Sequence, residues 1–263
     1  MSSVPTRHHI NGSPEEIAAF HRDDSLRLEM VTVCVGQDDI LEVTLTQNHS
    51  LFDSVIVVTS HDDRRTHDLC RRFHGVQLVI TDLFQKNGRG FNKGAAINAG
   101  FNYFQYHGWR CFMDADIIPD ASIRRYLFNH TALDRACVYG ADRVNVVGED
   151  EINALLNPIH PRHKQIRGHQ HRPTYSRYMD PIEDYCPIGF FQLWHCSHHK
   201  RYPYSRGTAA HDDTMFSAQW PRHNRRLLPT AVCHHLCVTD PQLGENWDGV
   251  RRTRRLDLTK IKS

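Results

Sequence analysis

Apolar and polar positions form alternating blocks along the first half of the chain. Short β-branched runs such as VTVCV and SVIVV stand between stretches whose apolar residues recur at helical spacing. Runs that are apolar on both faces are typical of buried parallel strands. The pattern predicts strands over 26–35, 53–60, 76–81 and 110–116, and helices over 38–52, 61–75 and 92–108. Strands that alternate with helices in this way predict βαβ units in a doubly wound α/β sheet.

The rhythm changes after Pro119. A long polar stretch, residues 149–185, is rich in His, Pro and Arg and predicts an irregular functional loop. Around it the pattern predicts helices over 121–132 and 211–221 and strands over 136–147, 186–195 and 226–236. A chain of 263 residues fits one large domain better than two small ones, so we expect a single domain over 1–263.

Composition narrows the class of protein. With 40% hydrophobic and 24% charged residues, no apolar run of membrane-spanning length and no signal-peptide core, we expect a soluble cytoplasmic protein. The eight cysteines contain no CxxC pair, which favours reduced, buried thiols over a disulfide or zinc framework.

The net charge of +2 does not by itself indicate a polyanion partner. The basic tail, residues 241–263, is interpreted as a solvated end, with contact to phosphate as the alternative.

Two carboxylates mark the candidate site. Asp114 and Asp116 follow the apolar strand RCFM, and ligands of open α/β sheets bind beyond the carboxyl ends of the strands. Hard oxygen ligands at this place suit Mg²⁺ or Mn²⁺ held against a diphosphate. A strand-ending Asp that only caps the next turn is the alternative.

Four segments carry a family resemblance: FMDADIIPD, FNKGAAINAGF, CPIGFFQLWH and HDDTMF. They resemble the GT-A glycosyltransferases with a galactosyltransferase-like C-terminal half, and the similarity spans about residues 28–240. It implies a Rossmann-like, mostly parallel sheet flanked by helices, with a nucleotide-sugar half at 28–120 and an acceptor half at 121–240. It also implies metal-dependent transfer of a sugar from a nucleotide-diphosphate sugar, UDP being favoured, to an acceptor hydroxyl.

Donor-binding roles follow from the resemblance and from simple chemistry. A cation at Asp114 and Asp116 would neutralise the diphosphate that leaves. Cationic side chains beside a glycine-rich helix start would hold phosphates, and an Asp after the second strand resembles the residue that recognises the base. We therefore expect donor contacts from Asp62, Asp63, Arg89, Lys93, Asn98 and Asp114. Ordinary solvated cations in a flexible loop are the alternative.

A third metal ligand is expected from His234 or His235. The resemblance places such a histidine here, and imidazole beside two carboxylates suits Mn²⁺ better than Mg²⁺. If the strand alternates, only one of the two side chains faces the site. A purely structural histidine is the alternative for either.

Catalytic and acceptor residues are expected in the second half. Asp212 and Asp213 fall at a helix start, where one caps the helix and the other is available as general base; Asp213 is favoured. Inversion at the sugar is expected and retention stays open. Trp194 and Gly189 are expected on the acceptor side, whereas Phe190 and Phe191 are assigned to the core.

The acceptor stays open between a glycan and other hydroxyl compounds. The basic, His-rich segment 160–177 and the basic tail make a hydroxymethylated pyrimidine in phage DNA one hypothesis, within a bacterial or phage-infected cell. A sugar-phosphate nucleotidyltransferase is a second reaction class, but its glycine-rich loop is replaced here by VGQDDILE. A non-catalytic nucleic-acid or sugar-binding module is the third.

Overall fold

A computed structural model describes residues 26–85, 90–121, 123–124, 133–167, 185–204, 209, 211–238 and 248–261. The strands are β1 (Leu28–Val33), β2 (Ser54–Thr59), β3 (Val76–Ile80), β4 (Trp109–Met113), β5 (Ile117–Pro119), β6 (Val138–Val147), β7 (Phe191–His195) and β8 (Arg225–Cys237). The helices are α1 (Asp38–Asn48), α2 (Arg64–Arg71), α3 (Lys93–Phe101), α4 (Gly148–Leu156), α5 (His163–Arg167) and α6 (Asp212–Ser217). Short 3₁₀ turns cover His49–Leu51, Arg222–Asn224 and Leu258–Lys260.

All eight strands belong to one sheet in the order β3-β2-β1-β4-β7-β6-β8-β5. β3, β2, β1 and β4 run parallel to one another, and β6 runs parallel to β8. β7 runs antiparallel between β4 and β6, and β5 runs antiparallel at the edge beside β8. The predicted fold class, a mixed α/β domain with a mostly parallel sheet and flanking helices, is confirmed. The reversal at β7 joins a βαβ half to a second, mixed half.

Helix α3 packs directly on the parallel half of the sheet. Gly100 makes this approach close, since a Cβ atom there would lie 2.7 Å from methyl groups of both Val31 and Val58. Real Cβ atoms do not come so near, so only glycine permits this helix-to-sheet distance. The close packing fixes the last turn of α3 against β1 and β2.

The region predicted as one irregular loop contains two helices, α4 and α5. In α4 the side chains of Ile152, Leu155 and Leu156 are buried, while its first turn is acidic. Acidic residues at a helix start are favourable because of the helix dipole. Because polar residues surround this short apolar stripe, the sequence pattern did not predict helix α4. The helix predicted over 121–132 falls mostly outside the described residues.

All eight cysteines lie in the described part of the chain, where they are buried and form no disulfide, as predicted. Burial raises the pKa of Cys34 and Cys70, Cys70 to about 12, so these thiols stay protonated at neutral pH. No helix in the described part of the chain has the length and apolar character needed to cross a membrane.

The C-terminal segment, residues 248–261, crosses the start of α1. Arg251 donates to both carboxylate oxygens of Asp39, with 2.9 Å between Nη2 and Oδ2, and to the carbonyl of Gly36 at 3.0 Å. The Asp39 side chain is only 2% exposed. Burial opposes its ionisation, but the Arg251 guanidinium outweighs burial and lowers the pKa of Asp39. Leu256 is buried beside this pair.

Other cations of this segment also have acidic partners. The pairs are Arg252 with Asp248, Arg254 and Lys260 with Glu149, and Arg255 with Asp38. The expectation of a solvated basic end is therefore wrong for residues 248–261. The segment is instead part of the body of the domain, fastened over the carboxyl end of β1.

Replacement of Arg251 by Gln leaves the Asp39 carboxylate buried without its main counter-ion. We expect the free energy of unfolding to fall by about 3 kcal/mol, as when one partner of a buried ion pair is lost. Urea unfolding followed by circular dichroism measures this. The matched control is Arg252→Gln, which removes an exposed pair and should leave the unfolding midpoint unchanged; equal midpoints for both variants would contradict the fastening role of Arg251.

Candidate active site

The loop that carries Asp114 and Asp116 joins β4 to β5 and is held at each of its three residues. The amide of Asp114 donates to the carbonyl of Phe190, 3.4 Å between N and O, and the carbonyl of Asp116 accepts from Leu236 at 2.8 Å. Thr44 of α1 donates its hydroxyl to the carbonyl of Ala115 at 2.7 Å. Three separate elements therefore fix the loop, which presents both carboxylates at the carboxyl end of β4.

Lys93, the first residue of α3, forms an ion pair with the first carboxylate. Its Nζ lies 2.6 Å from Asp114 Oδ1. The ammonium also lies 5.5 Å from the centroid of the Phe112 ring. Burial opposes the charge on Lys93, but Asp114, Asp213 and Asp116 outweigh it and raise the pKa of the ammonium. Lys93 and Asp114, two of the residues expected to contact the donor, therefore lie in direct contact with each other.

His235 pairs with the second carboxylate. Its Nε2 lies 3.1 Å from Asp116 Oδ2, and β8 places it opposite Ile117 in register with β5. His234 is buried on the alternate face of the strand, 6% exposed, and does not line the cleft. Strand alternation thus leaves His235 as the candidate ligand.

Opposite charges determine the ionisation of this pair. Burial opposes the charge on His235, yet the adjacent Asp116 carboxylate outweighs burial and raises the pKa of the imidazole to about 10. Burial likewise opposes ionisation of Asp116, but His235, Lys93 and Arg143 together lower its pKa. The carboxylates of Asp114 and Asp116 thus lie beside two cations, Lys93 and His235.

The carboxylates line a cleft of about 250 Å³ beyond β1 and β4. Its walls include Lys93, Asp114, Asp116, Arg143 and His235, together with apolar atoms of the β1 end and Gly249 of the C-terminal segment. Asp116 Oδ1 is buried and has no hydrogen-bond partner among the residues that the structure describes, and such an atom suits a cation. Within the described ranges, no three His, Cys, Asp or Glu side chains already converge as a metal cage. The donor set of two carboxylates and one imidazole nevertheless fits Mn²⁺.

A second pocket of about 400 Å³ lies beside the cleft and shares Val35, Phe91 and Gly249 with it. Its other lining residues are mostly polar: Ser60, His61, Asp62, Thr81, Asp82, Phe84 and Gln85. Gly249 has φ +76°, and a Cβ atom there would lie 2.3 Å from the Phe91 ring. The C-terminal segment therefore contributes a wall where the two cavities meet.

Asp62 and Asp63 have different places. Asp62 lines the second pocket and is exposed. The carboxylate of Asp63 caps α2 instead: it accepts from the Thr66 hydroxyl at 2.7 Å, the Thr59 hydroxyl at 3.1 Å and the Gly36 amide at 2.8 Å. A carboxylate occupied in this way holds the end of β1 and the start of α2 together, so only Asp62 is placed to meet a ligand.

Asp213 lies at the start of α6, against the loop before β7. Its Oδ2 accepts from the Gly189 amide at 2.7 Å and its Oδ1 from the Thr214 amide at 2.8 Å. Its charge acts on both Lys93 and Asp114, raising their pKa values. Asp212 is 6% exposed and lies on the side of Gly94. Asp213 is therefore the half-buried carboxylate of the pair and lies within electrostatic reach of Asp114.

Gln192 of β7 holds helix α6, which carries Asp213, in place. Its amide nitrogen donates to the carbonyl of Asp213 at 3.0 Å and to the hydroxyl of Ser217 at 2.7 Å. Its amide oxygen accepts from the Tyr202 hydroxyl. Gln192 thereby ties α6 to the sheet, a role that no sequence motif indicated.

Asn98 does not reach either cavity in this structure. Its amide nitrogen donates to the carbonyl of Tyr202 and its oxygen accepts the Tyr202 amide, each at 2.9 Å. It clamps the segment that follows β7 onto α3. Gly94 serves the same contact, because a Cβ atom there would lie 1.9 Å from the carbonyl oxygen of Pro203. The expected donor contact of Asn98 is replaced by this positioning contact, and Arg89 lies outside the described residues.

Trp194 differs from its expected acceptor role. The side chain is 1% exposed and packs among Phe101, Phe104 and Phe216, with ring centroids 5.1–6.4 Å apart. A ring surrounded in this way has no face left for a sugar, so the expectation of an open platform is wrong here. Phe190 and Phe191 are buried, as predicted.

Two residues of β6 were missed from sequence: Arg143 and Asn145. Arg143 lines the cleft, and its guanidinium carbon lies 5.0 Å from the centroid of the Phe190 ring. Asn145 contacts His235, 3.1 Å between Oδ1 and Nδ1. In DRVNVV, Asn145 stands between the buried Val144 and Val146, and Arg143 lies two residues earlier on the same face of the strand. Polar residues at every second position of this strand were the signal available.

No protein-family model and no curated protein matches the chain. Several solved structures, however, are similar to it. S. aureus TarS 1–349 in complex with UDP-GlcNAc superposes with a TM-score of 0.53 at 9% identity, over 80% of this chain and 58% of that one. Glucosyl-3-phosphoglycerate synthase from Mycobacterium tuberculosis, in complex with Mn²⁺, UDP and glucosyl-3-phosphoglycerate, gives 0.51 at 13% identity, over 97% and 86%.

The chain has the GT-A fold. A further structure of the same mycobacterial synthase, with Mn²⁺, UDP-glucose and phosphoglyceric acid, gives a TM-score of 0.50 at 13% identity, over 97% of this chain and 80% of that one. At such identities the likeness establishes the fold and leaves activity to the residues of the site. This chain spans less than two thirds of the TarS chain, 58%. In this chain the β4–β5 carboxylates line the cleft, which adjoins the second pocket.

Neighbouring aspartates allow a matched test of the second pocket. Replacement of Asp63 by Ala removes the cap of α2 and should lower the free energy of unfolding by about 1–2 kcal/mol. Asp62→Ala should leave stability unchanged, because its side chain is exposed and lines the second pocket. Denaturant unfolding of the two variants measures the difference. The placement is contradicted if Asp62→Ala destabilises the fold while Asp63→Ala does not.

Proposed function

We propose that the protein is a metal-dependent glycosyltransferase that moves a sugar from a nucleotide-diphosphate sugar to an acceptor hydroxyl. The observation that carries the proposal is the pair Asp114 and Asp116 at the carboxyl end of β4, stored beside Lys93 and His235 in a cleft that adjoins a polar pocket. The cleft suits a diphosphate and the pocket suits a nucleoside. A fold shared with proteins that bind UDP-sugars supports the same conclusion.

Asp114, Asp116 and His235 would hold the divalent cation, Mn²⁺ being favoured over Mg²⁺. When bound, the cation supplies positive charge against the diphosphate as the glycosidic bond breaks. Lys93 adds a second positive charge from the start of α3 and orients the phosphates. The unpartnered Oδ1 of Asp116 supports this assignment, because a buried carboxylate oxygen without a donor favours a cation.

Asp213 is proposed as the general base. The Gly189 and Thr214 amides orient its carboxylate near Asp114, where it would take the proton from the acceptor hydroxyl as that oxygen attacks the anomeric carbon. The sugar–phosphate bond then breaks and the nucleoside diphosphate leaves with the bonding electrons. Attack from the face opposite the diphosphate gives inversion, which we propose. Asp212 is the second candidate base.

UDP is the proposed donor nucleotide. TarS, crystallised with UDP-GlcNAc, and the mycobacterial synthase, crystallised with UDP and with UDP-glucose, share the fold of this chain. The mixed polar and aromatic lining of the second pocket, with Asp62 at its edge, supports binding of a base that carries an N–H donor. We propose hexosyl transfer on the same grounds.

A glycan or small hydroxyl compound is proposed as acceptor, ahead of a modified base in phage DNA. The cations of residues 251–260 are engaged with carboxylates, which removes one of the two grounds for a nucleic-acid acceptor. Most of the His-rich segment 160–177 lies outside the described residues. We propose action in the cytoplasm, where nucleotide sugars are the available donors.

Replacement of Asp116 by Asn removes one metal-binding charge with little change in shape. We expect the affinity for UDP-glucose in the presence of Mn²⁺ to fall by about 10–100-fold, because the cation that bridges protein and diphosphate is lost. Calorimetric titration with Mn²⁺ and with chelator measures the change. Asp120→Asn, at the end of β5 and outside the cleft lining, is the matched control. Binding that is unaffected by both chelator and Asp116→Asn would overturn the donor site.

Replacement of Asp213 by Asn keeps an acceptor for the Gly189 amide but removes the base. We expect UDP-glucose to bind as in the wild type. The rate at which UDP is released, as glucose is transferred to water or to an added acceptor, should fall by about 10²–10⁴-fold. A coupled assay of UDP release, with Mn²⁺ present, measures the rate. A larger loss in Asp212→Asn with a normal rate in Asp213→Asn would move the role of base to Asp212.

A further inference from the structure

Asn145 and His235 are register partners on adjacent strands. β6 and β8 pair in parallel with Asn145 opposite His235, and the Asn145 Oδ1 atom lies 3.1 Å from Nδ1 of the imidazole. The other ring nitrogen, Nε2, contacts Asp116. The imidazole therefore has one nitrogen turned to the carboxylate of the cleft and the other turned back to the sheet. Each nitrogen has a different chemical partner.

The partner of Nδ1 decides which nitrogen keeps the proton in a neutral imidazole. An amide oxygen only accepts hydrogen bonds, so it favours a proton on Nδ1. In the cation-free site Nε2 also holds a proton, which it shares with Asp116. When a metal ion takes the place of that proton, Nδ1 keeps its own and Nε2 offers its lone pair, which is the form that binds a metal ion. The Cys237 thiol also lies near Nδ1, 3.3 Å from Sγ, but sulfur is a weak hydrogen-bond partner. Asn145 is the stronger of the two partners.

Asn145 lies on the face of β6 that is turned to the cleft. Val144 and Val146, on either side of it, are buried apolar strand residues, whereas Asn145 and Arg143 share the opposite face of β6. On that face the Asn145 amide lies opposite the imidazole of His235.

We propose that Asn145 is a positioning residue that fixes the Nδ1-protonated form of His235, so that Nε2 is presented to a divalent cation and the site prefers Mn²⁺ over Mg²⁺. The inference rests on the proposed function, since it assigns a support to the cation site of the transferase. The preference follows because imidazole is a better ligand for Mn²⁺, whereas Mg²⁺ prefers oxygen. Without the support, two carboxylates are left as the main ligands and the preference weakens.

Three variants test the assignment in the full chain. Asn145→Leu removes the acceptor and keeps the volume, Asn145→Asp retains an acceptor toward Nδ1, and Cys237→Ala removes the weaker neighbour as a matched control. The dissociation constant of Mn²⁺ is measured from the electron paramagnetic resonance signal of the free ion, with UDP present. That of Mg²⁺ is measured by competition. Thermal unfolding shows whether each variant is folded.

The expected result is a rise of about 10–100-fold in the Mn²⁺ dissociation constant for Asn145→Leu, with a smaller change for Mg²⁺. Asn145→Asp should bind Mn²⁺ at least as tightly as the wild type, and Cys237→Ala should stay within about threefold of it. The assignment is overturned if Asn145→Leu binds Mn²⁺ like the wild type, if both ions weaken equally, or if Asn145→Asp fails to restore binding. A wild-type chain that binds no Mn²⁺ would instead overturn the proposed cation site itself.

Discussion

Asp114 and Asp116 lie on one three-residue loop, where their carboxylates repel each other and are costly to bury. The surrounding elements offset this cost by placing a cation beside each carboxylate. Each carboxylate has its own cation from a different element: Lys93 from the start of α3 for Asp114, and His235 from β8 for Asp116. The first cation comes from the parallel half of the sheet and the second from the mixed half. The antiparallel pairing of β5 with β8 brings His235 to the loop and so completes the charge set.

The surroundings of this charge set are held by contacts distant in sequence. Gly94 and Asn98 admit and clamp the segment after β7 against α3, and Gln192 ties the start of α6 to the sheet. From the other side, Arg251 fastens the C-terminal segment over the end of β1, and Gly249 forms part of the wall between the two cavities. The cleft is thus assembled from both ends of the described chain.

The sequence predicted the parts whose signal is local. Apolar runs located the buried strands, and the position of Asp114 and Asp116 after one of them located the cleft, because strand ends meet at one edge of the sheet. Roles set by long-range contacts were beyond reach. Whether the Asp63 carboxylate accepts from the Gly36 amide, or Trp194 is enclosed by core rings, depends on partners far along the chain. The support that Asn145 gives to His235 depends on strand register, which composition does not reveal.

The central claim is that the β4–β5 carboxylates and His235 together bind a divalent cation that meets the donor diphosphate. Anomalous X-ray scattering at the manganese edge, from crystals of the protein grown with Mn²⁺ and UDP, tests it most directly. The account predicts one strong anomalous peak within bonding distance of Asp114, Asp116 and His235, with the diphosphate of UDP on its open side. A manganese peak elsewhere, or UDP bound in the groove with no manganese beside these side chains, would contradict it.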